Sequence, residues 1–353
     1  MKILIPLITF GKSGGHRVLS ILANQLIILG HQVTFMCCFI DGEPYYPTDA
    51  KIINLSDELN VTISETSLYK KLKYLKKGIE LFPVFDVIIA NHSMTTFPVK
   101  LAKVIAKKVY YIQAYEPDFY RLNGFSLKAL PLWLMAKISY KLGLYQIVNS
   151  PVYFDYHGIK AKEFIPPGIN LDLFYPKELR NISKETVRIG CIGRAQKYKR
   201  TDLVIDSFEL IKKKFPLSSL NIAFGNSDLI SEKKNISVSK PTCDSELADY
   251  YRSIDILIAP SFLQLGAYHY PVMEALACGT TVITAGYLPG NKYNSWILKN
   301  ESIQEVADKV YLILMNKNKV KTKINKGIYD VKDLSWNVVS SKLEALLQKL
   351  ISN

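Results

Sequence analysis

The first 38 residues, MKILIPLITFGKSGGHRVLSILANQLIILGHQVTFMCC, constrain the fold more than any other segment. Residues 2–8 read as a short apolar strand, followed by a turn holding Gly11, Gly14 and Gly15. Val18, Leu19, Leu22, Leu26 and Leu29 then recur at helical spacing, Gly30 ends that helix, and residues 33–38 form a second strand. Strand, helix, strand in this order is a βαβ unit, which requires parallel pairing with a crossover helix. Further short apolar strands are expected at 84–90, 109–113 and 145–149, with helices between them. The apolar start is too short for a signal peptide, and no run reaches the about 18 apolar residues that mark a membrane span.

The same grammar restarts after a Pro-rich stretch, EFIPPGINLDLFYPKE, at 163–178. The strands VRIGCIGR, SSLNIAFG, IDILIAP and TTVITA alternate with helical stretches such as 201–214 and 245–253. The expected fold is therefore α/β, with two Rossmann-like parallel-sheet domains at 1–172 and 173–335. The amphipathic helix of 336–353 is expected to pack back towards the first domain. Ligands of open parallel sheets sit beyond the carboxyl ends of the strands, so two such domains facing each other would enclose a cleft.

Composition closes other routes. A hydrophobic fraction of 48% excludes disorder. The five cysteines are odd in number and form no C-x-x-C pair, which argues against zinc and against a disulfide framework, and for a reducing cytosol. The net charge of +14 is spread over both halves and accompanies no zinc finger, RNP motif or basic zipper, so no nucleic-acid partner is expected. Anionic small molecules and anionic membrane surfaces remain as partners.

Three segments carry chemistry. In GKSGGH, Gly14 and Gly15 let backbone N–H groups approach a phosphate or sugar at a helix N-terminus; the same glycines would equally serve a tight turn. In GCIGRAQKYKRTD, Arg194 follows a strand end and Lys199 precedes a helix, a pair of cations suited to a diphosphate, or else an ordinary solvated loop. In PVMEALACGTTVITA, Glu274 lies near the start of an apolar helix, where a carboxylate needs a partner: sugar or ribose hydroxyls, or backbone N–H groups.

Together these segments resemble glycosyltransferase family 4, retaining nucleotide-sugar transferases of the GT-B fold. The likeness runs through nearly the whole chain, and PVMEALACGTTVI is its most specific piece. It implies an acceptor-binding first domain and a nucleotide-sugar-binding second domain. Arg194 and Lys199 would hold the donor diphosphate and stabilise the leaving group, and Glu274 would bind the nucleotide ribose. Two acidic residues eight positions apart mark the family, and the first falls on Gly266, which has no side chain. Backbone groups of Ala267, Tyr268 and His269 would then line the donor pocket, with His269 as a substitute for the missing carboxylate. The implied chemistry is front-face retention, with no enzymic nucleophile, no metal and no cofactor beyond the UDP-, GDP- or dTDP-linked donor.

A second departure is Gln113 in YYIQAYEPDFY, where many members carry His. The segment resembles a Q-x-Y-E-P variant of rhamnosyltransferase-like members, which implies a catalytic or hydroxyl-binding role for Glu116. His16 and His92 are further candidates for acceptor or sugar contacts, although a lone His at a strand end is more often structural. Lys70, Lys71, Lys73, Lys76 and Lys77 crowd an amphipathic stretch at 67–82, which fits either a surface helix or an anionic lipid surface. Residues 126–145 read as a packed helix, with Trp133 as a membrane contact. The expected function is transfer of a sugar to a glycan or lipid-linked acceptor in surface polysaccharide or glycolipid synthesis, in the cytoplasm or peripherally on the inner membrane face. The alternatives are a nucleotide-sugar 2-epimerase of the same fold and a degenerate sugar-binding subunit.

Overall fold

A computed structural model describes residues 1–82, 84–122, 127, 129–178, 182–193, 196–225 and 234–352. The chain divides into two compact units, Met1–Gly168 with Trp336–Asn353, and Ile169–Ser335.

The first unit runs β1 (Lys2–Leu7), α1 (Gly14–Ile28), β2 (Gln32–Cys37), β3 (Lys51–Asn54), α2 (Leu55–Glu58), α3 (Leu68–Leu81), β4 (Val87–Ala90), α4 (Ser93–Leu101), β5 (Lys107–Ile112), α5 (Glu116–Phe119), α6 (Leu130–Ser139), β6 (Tyr145–Val148) and β7 (Glu163–Phe164). Its sheet is parallel throughout, in the order β3-β2-β1-β4-β5-β6-β7. Residues 3–7 of β1 are all buried, which is why this strand is a continuous apolar run rather than an alternating one. The step from β1 to β2 goes one way across the sheet, and the steps β3 to β4, β5 and β6 go the other way. Right-handed crossovers therefore put α1 on one face and α3, α4 and α6 on the opposite face.

The second unit runs β8 (Arg188–Ile192), α7 (Thr201–Lys214), β9 (Ser219–Ala223), β10 (Ile236–Ser239), α8 (Asp244–Ser253), β11 (Ile256–Ala259), α9 (Tyr270–Ala277), β12 (Thr281–Thr284), β13 (Trp296–Ile297), α10 (Ile303–Met315) and α11 (Lys317–Asp330). Its parallel sheet has the order β10-β9-β8-β11-β12-β13. One core cluster joins Val204, Phe208 and Ile211 of α7 to Val306 and Val310 of α10. A second joins Ala248 and Tyr251 of α8 to Val272 and Leu276 of α9.

The last helix, α12 (Trp336–Ser352), belongs to the first unit and packs on α1. Val339, Leu343 and Leu347 are its buried stripe. His31 clamps it from the start of β2: Nε2 lies 2.8 Å from Glu344 Oε1, and Nδ1 lies 3.1 Å from the Met1 amine. The first unit ends at Gly168, somewhat before residue 172, because the Ile169 N–H donates to Leu334 O in the second unit (2.8 Å). Strand β4 starts at Val87 rather than 84, and Val84 stands exposed ahead of it. Among the described residues, no helix is long and apolar enough to cross a membrane.

Leu347 has no exposed surface, so Leu347→Ala should cost about 3 kcal/mol of folding stability. Denaturant unfolding measures this, and a loss below about 1 kcal/mol would contradict the packing of α12.

Candidate functional site

Each sheet reverses its strand order at its first strand, β1 beside β4 and β8 beside β11. The crevice beyond the carboxyl ends at such a switch point is where open parallel sheets bind ligands. The candidate residues fall at these two places, one set in each unit.

In the first unit, Gly14 opens α1 directly after the β1 turn. The N-cap Ser13 does not cap with its side chain; its Oγ lies 2.9 Å from His16 Nδ1. Burial is the main reason that His16 is held below its ordinary pKa, and the nearby His92 adds to it. From the end of β5, Gln113 Nε2 donates to Gly15 O (3.3 Å). The turn after β4 is tied to β1 by Asn91 Nδ2, which donates to Pro6 O (2.9 Å). Gly14, Gly15, His16, Gln113 and His92 are thus gathered at one edge of one sheet.

His92 and Glu116 are coupled. His92 is the N-cap of α4, and its Nδ1 accepts from Met94 N–H (3.2 Å). The ring proton of the neutral form therefore sits on Nε2, which lies 3.2 Å from Glu116 Oε2. Glu116 Oε1 accepts from Ser93 N–H (2.8 Å), and Oε2 accepts from the Ser93 hydroxyl. Tyr110 and Tyr140 stack above this carboxylate with ring centroids 5.7 Å apart. Burial, reinforced by Glu116, pushes both phenols well up, so both stay neutral donors: Tyr110 to Glu116 Oε1 (3.4 Å) and Tyr140 to Ala114 O (3.4 Å).

Both oxygens of Glu116 thus already accept bonds from the protein. The carboxylate holds the start of α4 against the start of α5, and any proton or hydroxyl taken by it must displace one of these donors. His92 likewise has both ring nitrogens engaged. Ser93 carried no sequence signal of its own, but the H-S-M-T run did: Thr95 Oγ1 accepts from His92 N–H (3.2 Å) and completes a capping box with His92.

In the second unit, Arg194 lies outside the described residues. Gly193, just before it, donates to Ala223 O (2.7 Å), and a Cβ there would sit 2.8 Å from Gly225 Cα. Only glycine lets the ends of β8 and β9 approach this closely. Lys199 ends a short 3-10 turn before α7, with Nζ 5.4 Å from the Tyr198 ring centroid. Arg200 has a left-handed backbone (φ 56°) and pairs with Glu301 and, at 3.4 Å, with Asp202. Its charge is therefore balanced within the fold, unlike a cation held ready for an anion.

The loop after β11 carries Gly266 to His269. It is stitched to the loop after β12: Gly266 N–H donates to Gly286 O (3.1 Å), Leu288 N–H to Ala267 O (2.9 Å) and His269 N–H to Leu288 O (2.9 Å). Gly266 has φ 84°, so a side chain at this position would be strained. Gln264, in the same loop, is 8% exposed and also left-handed at φ 51°. Tyr268 forms an isolated bridge with Leu288, and the His269 ring stacks on Tyr287 at 4.6 Å. Glu274 is only 1% exposed, and its Oε2 accepts from the Tyr251 hydroxyl (2.8 Å). Burial and Glu274 push the Tyr251 phenol up, so it remains the donor. Among the described residues, no group of three His, Cys, Asp or Glu side chains is arranged to hold a metal ion.

Residues 186–316 match the family model described as glycosyl transferases group 1. D-inositol 3-phosphate glycosyltransferase of Paenarthrobacter aurescens is 27% identical over 143 residues, 33% of this chain and 33% of that protein. The match therefore spans about a third of that relative's length. A protein named uncharacterized glycosyltransferase 335, from Sulfolobus islandicus rod-shaped virus 1, is 24% identical over 288 residues, 74% of this chain and 81% of that one. Sucrose-phosphate synthase of Thermosynechococcus elongatus superposes with a TM-score of 0.79 at 18% identity, covering 99% of each chain. HepE of Anabaena, solved in complex with UDP-glucose, gives 0.71 at 15% identity over 99% of this chain and 100% of that one.

Two stability predictions follow from the first unit's network. Glu116→Ala strands the Ser93 and His92 donors and should cost about 2 kcal/mol in thermal or denaturant unfolding; an unchanged midpoint would refute the network. The lowered pKa of His16 means that the unfolded chain takes up its proton first as pH falls. The stability linked to His16 is thus fully present above about pH 6.5 and is lost as pH falls towards the folded-state pKa. Melting temperature should fall less between pH 7.5 and 5.5 in His16→Gln than in the parent chain; equal slopes would contradict the burial of the ring. The chain has the GT-B fold of two Rossmann-like units, and its second unit carries the glycosyl transferases group 1 match.

Proposed function

We propose that this protein is a retaining glycosyltransferase of family 4 that moves a sugar from a nucleotide-sugar donor to a glycan or lipid-linked acceptor. The observation that carries the reading is the coincidence of the family match with the unit that holds Arg194, Lys199 and Glu274. The donor is assigned to the second unit and the acceptor to the first. A uridine diphosphate donor has support from the complex of HepE with UDP-glucose.

In the proposed reaction the bond between the anomeric carbon and the diphosphate oxygen breaks. The acceptor hydroxyl forms the new bond on the same face of the sugar, and its proton passes to an oxygen of the departing diphosphate. Arg194 and Lys199 offset the charge that develops on that diphosphate. Such a step uses neither an enzymic nucleophile nor a resident metal. Backbone groups of Gly266 to His269 line the sugar, and His269 stands in for the side chain that Gly266 lacks. Glu274 reaches the ribose only where the nucleotide buries against α9; otherwise it acts through Tyr251 to hold that helix. Glu116 and His92 position the first unit's loops around the acceptor, with Gly14, Gly15, His16 and Gln113 nearest to it.

Transfer from UDP-, GDP- and dTDP-linked hexoses tests this reading. Arg194→Ala and Lys199→Ala should each lower kcat/KM by about a hundredfold or more, with the anomeric configuration retained in the residual product. Undiminished transfer in both variants would remove the donor-site assignment. Donor binding with no transfer in the parent chain would favour the degenerate sugar-binding subunit.

A further inference from the structure

The helical layer α3-α4-α6 on the first unit carries a surface that the transfer chemistry does not use. Helix α3 packs on α4, and α4 packs on α6, so the three present one continuous outer face. Helix α6 leaves part of its apolar surface outside the core. Its buried residues are Ala136 and Ser139, which are small, whereas Leu134 and Ile138 are 44% and 48% exposed. Helix α6 packs on α4 and α5, as expected of a packed helix, but it is apolar on nearly every side, so Leu134 and Ile138 are left on the outer side. At the ends of α4 and of the segment that follows it, Leu101 is 62% and Ile105 fully exposed.

The charge on this face has one sign. Across residues 68–82, 93–105 and 127–144 the single acidic residue is Glu80, and it is paired with Lys76 (2.7 Å). Lys71 lies over the Phe39 ring at 5.0 Å. Lys70, Lys73 and Lys77 remain exposed on α3, and Lys100 and Lys141 extend the basic rim along α4 and past α6. Trp133 of α6 has Lys137 over its ring at 4.1 Å, an amphipathic pairing of the kind found at membrane–water boundaries.

We infer that the outer face of α3-α4-α6 docks on an anionic lipid bilayer, with Leu134 and Ile138 entering the interface and the lysines facing the headgroups. Apolar area and lysine charge act together in such docking, and neither alone gives stable attachment. A second copy of this chain would bring like charges together, which disfavours a dimer on this face. The inference deepens the lipid-linked acceptor reading, and it is tested without donor or acceptor, so that either can fail alone.

The full chain is sedimented with vesicles of phosphatidylglycerol and phosphatidylethanolamine, and with vesicles of phosphatidylcholine, at low and high salt. Binding to the anionic vesicles only, lost at high salt, is expected. Trp296 and Trp336 are buried, so a blue shift of tryptophan emission on binding reports Trp133. The double variant L134S/I138S should lower the partition coefficient by about tenfold or more, and replacing Lys70, Lys73 and Lys77 by Gln should lower it roughly fivefold per lysine. Circular dichroism establishes that both variants fold; these side chains are exposed, so folding should survive. No binding of the parent chain to anionic vesicles at low salt overturns the inference. So does unchanged binding in both variants, or loss of a dimer in L134S/I138S without loss of vesicle affinity.

Discussion

Two parallel sheets, each covered by helices on both faces, are the constraint on which everything else in this chain depends. Parallel strands need crossover helices, and covered faces demand apolar runs such as residues 3–7. Polar chemistry is thereby confined to the loops at the strand ends. The reversal of strand order at β1 and at β8 opens a crevice between adjacent loops in each unit. Helices α1, α4, α7 and α9 all start at those carboxyl ends, so their N-termini concentrate N–H donors and positive potential there. An anionic ligand suits that arrangement before any side chain is considered.

Side chains then refine the two edges differently. In the first unit, Ser93, His92, Glu116, Tyr110 and Tyr140 form a closed network in which each polar group has a partner. A network of this kind makes a rigid platform and leaves little free reactivity. In the second unit, backbone pairing between the loops after β11 and β12 does the corresponding job, and Glu274 anchors the helix beneath through Tyr251. The family match falls on this second unit.

Much of the architecture was legible in the residues. The βαβ opening follows from its glycine turn and the apolar spacing of Val18 to Leu29, and the helix at 201–214 falls where a helical stretch is expected. Side-chain partnerships between strands were not. Glu116 and His92 meet only because β4 and β5 are neighbours, and periodicity says nothing about which strands adjoin. Gly266 read as a missing carboxylate; its left-handed φ shows a backbone that disfavours any side chain. Glu274 read as a carboxylate in need of a partner, either sugar hydroxyls or backbone N–H groups; the Tyr251 hydroxyl that it accepts from depends on how α8 packs on α9. Helix α6 was legible as a packed helix, but not which of its large residues stay outside, because a helix apolar on nearly every side has no face marked for the core.

Hydrogen exchange with and without saturating nucleoside diphosphate tests the central claim most directly, because it locates the ligand without requiring turnover. The account predicts slowed exchange in residues 196–201 and 260–270, beyond the carboxyl ends of β8 and β11. Absence of protection with every nucleotide, or protection confined to the first unit, would contradict it.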